Sequence, residues 1–295
     1  MKRAAGLAEP GRTDSLDGVT PVLFTAVVAF ISLAAGLLGS LVGVGGGIIV
    51  VPALTLLLGV DIHHAIAASI ISVIATSSGA ASSYVRQHIT NMRLAMVLEV
   101  ATAAGALSGA FVAAYLGGRW LFLLFGAVLA YTSYSMLRKQ HDAAKILPPD
   151  ALADRLRLHG SYYDQALGRE VVYRVSRTKL GLAVSYVAGV VSGLLGIGGG
   201  VLKVPVMNLS MGIPIKVCTA TSNFMIGVTA ATGAAMYFMR GDIQPFVAAP
   251  VAVGVLLGAK LGAQLLSRLR GQTIRIAFVV VLTISALQMF WKGIK

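Results

Sequence analysis

Residues 36–69 read GLLGSLVGVGGGIIVVPALTLLLGVDIHHAIAAS, and residues 189–222 read GVVSGLLGIGGGVLKVPVMNLSMGIPIKVCTATS. At an offset of 153 residues the two stretches align without a gap and share thirteen identities in 34 positions. Gly43, Gly45, Gly46 and Gly47 meet Gly196, Gly198, Gly199 and Gly200; Pro52 meets Pro205, Gly59 meets Gly212 and Ser69 meets Ser222. Further along, Tyr84 falls opposite Tyr237, and Gly105 and Gly109 fall opposite Gly258 and Gly262. A period this long is not that of a solenoid. Duplicated halves are a common plan of secondary transporters.

The composition around these stretches excludes a soluble protein. Apolar residues make up 57% of the 295-residue chain and charged residues 12%. Soluble domains carry roughly 25% charged residues, and a chain this poor in charge needs lipid around it. The net charge of +13 does not point to nucleic acid, because the basic residues lie mostly between apolar runs, as in cytoplasmic loops of membrane proteins. The single cysteine, Cys218, forms no internal disulfide and stands in no metal-ligand spacing.

Ten apolar segments follow a polar tail at residues 1–20: 21–42, 48–60, 65–85, 94–116, 120–137, 179–195, 201–213, 217–239, 246–266 and 273–291. Eight approach the roughly 20 helical residues needed to cross a hydrocarbon core. Segments 48–60 and 201–213 are too short; each follows a glycine cluster and reads as a half-helix. The expected fold is an all-α polytopic membrane protein of two homologous repeats, with about eight spanning helices and two short half-helices. Its parts are a disordered tail (1–20), repeat 1 (21–137), a linker (138–178) and repeat 2 (179–295). The linker, with Pro148, Pro149 and many basic residues, is expected in the cytoplasm as a solvated connection with room for an amphipathic helix near 150–167.

Two arrangements fit. With eight spans the halves are parallel, and the inside and outside loops hold 17 and 5 Lys/Arg; with ten crossings the halves are inverted and the numbers are 15 and 7. The eight-span arrangement is the working expectation, although it places Arg268, Arg270 and Arg275 outside.

The glycine clusters are the first candidates for chemistry. Unpaired N–H groups and partial positive charge at a helix N-terminus suit an anion, and glycine lets one approach. Gly45, Gly46, Gly47, Gly198, Gly199 and Gly200 are therefore candidate substrate contacts, with simple helix breaks as the other reading. Neither cluster matches a dinucleotide or phosphate-loop pattern. Lys203 stands three residues after Gly200, where the first half has Val50, and a lysine inside a bilayer faces a cavity or a partner, or snorkels to an interface. Asn208, Ser222 and Asn223, with Ser69 in the first half, are further candidates; they also serve as caps and helix contacts. Glu99 is a candidate proton-coupling carboxylate and Lys260 a candidate pathway cation, each with snorkelling or ion pairing as the alternative. The Gly39/Gly43, Gly105/Gly109 and Gly258/Gly262 pairs suit close helix packing. His63 and His64 lack further ligands for a metal, no nucleophile–base pair stands out, and neither enzyme nor cofactor is expected.

The paired motif Gly-Val-Gly-Gly-Gly at 43–47 with Pro52, Gly59 and Ala67-Ala68-Ser69, and again Gly-Ile-Gly-Gly-Gly at 196–200 with Pro205, Gly212 and Ala220-Thr221-Ser222, resembles that of the sulfite exporter TauE/SafE family. The resemblance covers about residues 21–291. It implies an inner-membrane permease for small anions such as sulfite, sulfonates, thiosulfate or carboxylates. Export of a sulfur-containing anion by alternating access is the leading expectation. Proton-coupled uptake of a carboxylate or thiosulfate-type anion is one rival, and a non-transporting scaffold docking through the 138–178 loop is another. The expected partners are a small anionic substrate and the bilayer, with a homo-oligomer as well as a monomer open. If the linker is only a connection, its deletion leaves flux intact.

Overall fold

The computed structural model describes residues 21–42, 45–137, 148–164, 168–265 and 271–294. The expected tail at 1–20, Gly43 and the first part of the linker lie outside them.

The first half of the chain contains α1 (Pro21–Val42), α2 (Gly47–Pro52) continued by a π-helical turn (Ala53–Leu57), α3 (Ile62–Arg86), α4 (Met92–Ala113) and α5 (Gly118–Leu137). The second half contains α7 (Thr178–Leu195), α8 (Gly200–Leu209), α9 (Ile215–Met239), α10 (Pro245–Leu265) and α11 (Gly271–Ile294). Among the described residues, α1, α3, α4, α7 and α10 are long and apolar enough to cross a membrane, while Gly47–Leu57 and Gly200–Leu209 are short apolar helices. Local signals set the ends. Asp61 accepts the His63 N–H and Asn91 the Leu94 N–H, capping α3 and α4. Both short helices stop before a glycine of positive φ, Gly59 or Gly212.

The helices pack where they lack side chains. A Cβ on Gly254, Gly258 or Gly262 of α10 would lie 2.0–2.5 Å from the Ala29, Leu33 or Leu37 carbonyl of α1. On the other side of the bundle, Gly105 and Gly109 of α4 meet the Tyr186 and Val190 carbonyls of α7, and Gly189 and Gly193 of α7 meet the Thr102 and Ala106 carbonyls of α4. Such contacts bring backbones together, as small residues do between membrane helices.

These contacts also give directions. Register advances together along α1 and α10 and along α4 and α7, so each pair is parallel. Thr221 and Thr229 of α9 meet Asn91 and Glu99, so α9 runs with α4. Ser77 meets Asn223 while Tyr84 clusters with Ala220, so α3 and α9 are antiparallel. Arg119 reaches Gly293 and Ser133 reaches Thr283, so α5 and α11 are antiparallel too. Corresponding helices of the two halves therefore oppose one another, unlike the parallel halves of the working expectation. The reason lies in the short helices: α2 carries the chain back from mid-bundle toward the end where α1 begins, and α3 starts again from there. One end of the bundle gathers the start of α1, the 58–61, 114–117 and 240–244 turns and the end of α11. The opposite end gathers the 87–91 and 210–214 turns, the linker, the end of α10 and the start of α11.

The fold is mostly rather than wholly helical. In place of an amphipathic helix over 150–167, the linker forms α6 (Ala151–Arg155) and an antiparallel hairpin, β1 (Gly160–Asp164) and β2 (Arg169–Tyr173), with Tyr162 opposite Val171. Aromatic and β-branched residues at 162–163 and 171–173 favour strand over helix. The linker is also seated on the bundle. Leu158, Tyr162, Tyr173 and Val175 share a buried cluster with Leu98, Val204, Met207 and Met225 of α4, α8 and α9. Lys216 donates to Asp164 at 2.7 Å, and the Asn91 amide donates to the Leu158 carbonyl and the Tyr173 hydroxyl.

Candidate functional site

The two glycine loops meet at the centre of the bundle. Gly198 and Gly199 have φ of +75° and +71°, which a residue with a Cβ adopts only under strain. Gly47 sits so close to the second loop that a Cβ would lie 2.6 Å from the Gly196 carbonyl oxygen. The Ser69 hydroxyl donates to that same oxygen at 2.6 Å and ties α3 to the second loop. Gly45 and Gly198 both face Val73 and Ile226. The Gly46 N–H donates to Thr76 Oγ1 at 3.2 Å. The loops are thus packed against each other and against aliphatic side chains.

Beside them lies a buried trio of two charged side chains and a hydroxyl. Lys203 on the first turn of α8 is 1% exposed and Glu99 on α4 is 7% exposed. Lys203 Nζ is 3.8 Å from Glu99 Oε2 and donates to Thr229 Oγ1 at 3.4 Å. The Thr229 hydroxyl donates to Glu99 Oε1 at 2.6 Å, with the Met225 carbonyl a second acceptor at 3.2 Å. Glu99 Oε2 is buried and accepts no hydrogen bond among the described residues. The charge on Lys203 is its compensation. Removing one partner from such a pair typically costs about 3–5 kcal/mol, because the other is left charged and buried.

The positions 153 residues away are Val50, Ala252 and Thr76, so neither charge of the pair has a charged counterpart at the sequence offset. Thr229 was not among the sequence candidates. Its signal was present as the match of Thr76 and Thr229 at the repeat offset. The pairing of Glu99 with Lys203 had no sequence signal, since only the packing of α4 against α8 and α9 creates it.

The other candidates are distributed around this centre. Asn223 is fully buried; its amide donates to the Ser40 and Thr219 carbonyls, and its Oδ1 accepts no hydrogen bond among the described residues. Ser222 is buried one residue earlier. Asn208 lies more than a turn beyond Lys203 and donates to the Ile213 carbonyl, holding the α8–α9 turn. Lys260 is exposed on α10, apart from the trio. His64 contacts the Asp242 carbonyl, and among the described residues no group of His, Cys, Asp and Glu is placed to hold a metal.

The chain is 29% identical over 275 residues to a probable membrane transporter protein, YunE, of Bacillus subtilis, covering 91% of this chain and 98% of that protein. It is 25% identical over 266 residues to a probable membrane transporter protein of Xylella fastidiosa, covering 89% and 92%. A 59-residue stretch is 41% identical to sulfite exporter TauE/SafE family protein 5 of Arabidopsis thaliana, covering 20% and 13%. No solved structure matches. The model of the sulfite exporter TauE/SafE family matches residues 28–289, and with its bundle of apolar helices the chain is a membrane transporter of that family.

Proposed function

We propose that the protein carries small sulfur-containing anions, such as sulfite or sulfonates, across the cell (inner) membrane by alternating access. The observation supporting this most is Lys203, a buried cation at the start of the helix that leaves the second glycine loop. The helix N-terminus and the ammonium favour the same sign of ligand. Gly198, Gly199, Gly200, Lys203, Ser222 and Asn223 form the proposed substrate side, with Gly45, Gly46, Gly47 and Ser69 facing them from repeat 1. Asn208 supports this group by holding the end of α8.

The opposed helix directions support two inverted repeats, each carrying the chain across an odd number of times. Divided this way, the sequence carries 15 Lys/Arg on the linker side and 7 on the other, and the positive-inside tendency supports a cytoplasmic linker. Arg268 and Arg270, which the eight-span expectation placed outside, are not among the described residues. Direction follows from what travels with the anion. A monoanion crossing alone is driven out by a negative interior at about 2.3 kcal/mol per 100 mV, and a proton carried with it cancels that drive.

The test is flux in proteoliposomes offered sulfite, thiosulfate, sulfoacetate, taurine and lactate, with voltage and pH gradients imposed separately. Saturable flux of a sulfur anion supports the reading. Flux confined to lactate shifts the substrate to carboxylates, and no flux from folded protein rejects the panel.

A further inference from the structure

We propose that Glu99 occupies, in the substrate-free protein, the place beside Lys203 that the anion takes, so that each anion binds together with one proton held on Glu99. The inference rests on the anion reading and adds the coupling ion to it.

Three observations lead there. Glu99 and Lys203 are the buried charged side chains of the bundle; the third buried charge among the described residues, Asp164, belongs to the linker hairpin. Glu99 Oε2 accepts no hydrogen bond among the described residues, and its counter-charge is the ammonium 3.8 Å away. Thr229 has two acceptors in reach, Glu99 Oε1 and the Met225 carbonyl, so its hydroxyl can leave the carboxylate without becoming unpaired.

A single buried ammonium balances a single negative charge. An anion arriving while Glu99 is ionised puts two negative charges on one cation in a water-poor interior, where like charges oppose each other's ionisation. The least costly resolution is for Glu99 to take a proton from the aqueous side open at that moment. The carboxyl then turns neutral, the Thr229 hydroxyl points to Met225 or the anion, and Lys203 pairs with the anion. On release the proton leaves, and Glu99 returns to Lys203.

The surroundings contain no rival carrier among the described residues. On α7 the titratable groups are Lys179, at its start, and Tyr186, whose hydroxyl meets Ser108. On α9, Lys216 pairs with Asp164, Cys218 donates to the Ile213 carbonyl and Tyr237 donates to the Gly193 carbonyl. On α8 there is Lys203 alone. Tyr162 and Tyr173 of the hairpin engage Asp164 and Asn91.

The test uses the full-length protein in nanodiscs with methanesulfonate and ethanesulfonate, monoanions that stay ionised across the range. Their affinity is measured from pH 5.5 to 8.5, and proton uptake on anion addition is read with a pH dye in weak buffer. The expected result is up to a tenfold loss of affinity per pH unit on the alkaline side, where Glu99 must be protonated on binding, with uptake approaching one proton per anion. Glu99→Gln is expected to bind with no pH dependence and no proton uptake. Saturable binding by the unaltered protein without proton uptake at any pH overturns the inference and leaves the anion reading standing, whether or not the variant folds. Proton uptake that persists in folded Glu99→Gln also overturns it, because the proton then sits elsewhere. If neither probe nor any anion of the flux panel binds, the anion reading fails and the inference fails with it.

Discussion

Thr76 and Thr229 stand 153 residues apart and use the same hydroxyl differently: Thr76 receives the N–H of Gly46, whereas Thr229 receives the ammonium of Lys203 and donates to Glu99. Around them the backbone contacts come in pairs. Gly36 approaches the Val255 carbonyl and Gly189 the Thr102 carbonyl; Gly258 approaches Leu33 and Gly105 approaches Tyr186. The centre thus pairs matching backbones with unmatched chemistry, and the charge lies where the pairing fails.

The two buried tyrosines give the simplest test of the pairing. Tyr84 donates to the Ser40 carbonyl at 3.1 Å and Tyr237 to the Gly193 carbonyl at 2.9 Å. Tyr84→Phe and Tyr237→Phe should each destabilise the protein by about 1 kcal/mol, the usual net value of one hydrogen bond. Thermal unfolding in detergent should show similar downward shifts for both, adding in the double variant.

Helix contact through glycine has an internal control. Gly105→Ala puts a methyl 2.2 Å from the Tyr186 carbonyl oxygen, and Gly258→Ala puts one 2.0 Å from that of Leu33. Overpacking of this kind costs about 1–3 kcal/mol. Gly233 in α9 has nothing within 4 Å of its added Cβ, so Gly233→Ala should be neutral or raise stability by up to about 1 kcal/mol through helix propensity. Equal melting temperatures for all three would contradict the packing described.

The linker should loosen in acid. The Thr178 N–H, at 2.6 Å, is the main group holding the Asp150 carboxyl below its ordinary value, and the Leu152 and Ala153 N–H groups add to it. A carboxyl lowered in the folded state contributes stability that is fully present above the unfolded value of 3.8 and is lost as pH falls through the folded value below it. Limited proteolysis between 148 and 177 should therefore accelerate below about pH 4, with Asp150→Ala already fast at neutral pH. A variant as resistant as the unaltered chain would show that the anchor lies elsewhere.

Much of this architecture is legible in the sequence because apolar length and glycine punctuation are local properties. Gly59 and Gly212 end the short helices, Asp61 and Asn91 start long ones, and the chain breaks at the glycine clusters. Direction is not local. Whether α2 returns the chain to its starting end depends on the direction in which α2 leaves Gly45 and Gly46, and only contacts such as Ser77 with Asn223 decide it. The linker escaped for a related reason: its charges describe a solvated segment, while Tyr162, Tyr173 and Val175 find their apolar partners on α4, α8 and α9. Lys203 and Glu99 each stood out alone as costly intramembrane charges, and their pairing is a product of tertiary structure.

Removal of the linker hairpin should now affect transport, contrary to the expectation for a simple connection. It would uncover Val204, directly after Lys203 on α8, and Met207 one turn further on, together with Leu98 beside Glu99. Replacing residues 160–173 by a short Gly/Ser connection should change flux at least several-fold in proteoliposomes while the bundle stays folded. Unchanged flux would make the hairpin a bystander.

The central claim, that Lys203 is the ligand of the transported anion, is tested most directly by comparing saturable sulfite flux in proteoliposomes of the unaltered protein and of Lys203→Met, with folding of both checked by size-exclusion profile and helical circular dichroism. Loss of one charge-assisted hydrogen bond, worth about 1.5–3 kcal/mol, should weaken apparent affinity by roughly tenfold or more, with Lys203→Arg retaining part of it. Folded Lys203→Met transporting sulfite with unchanged affinity would contradict the account.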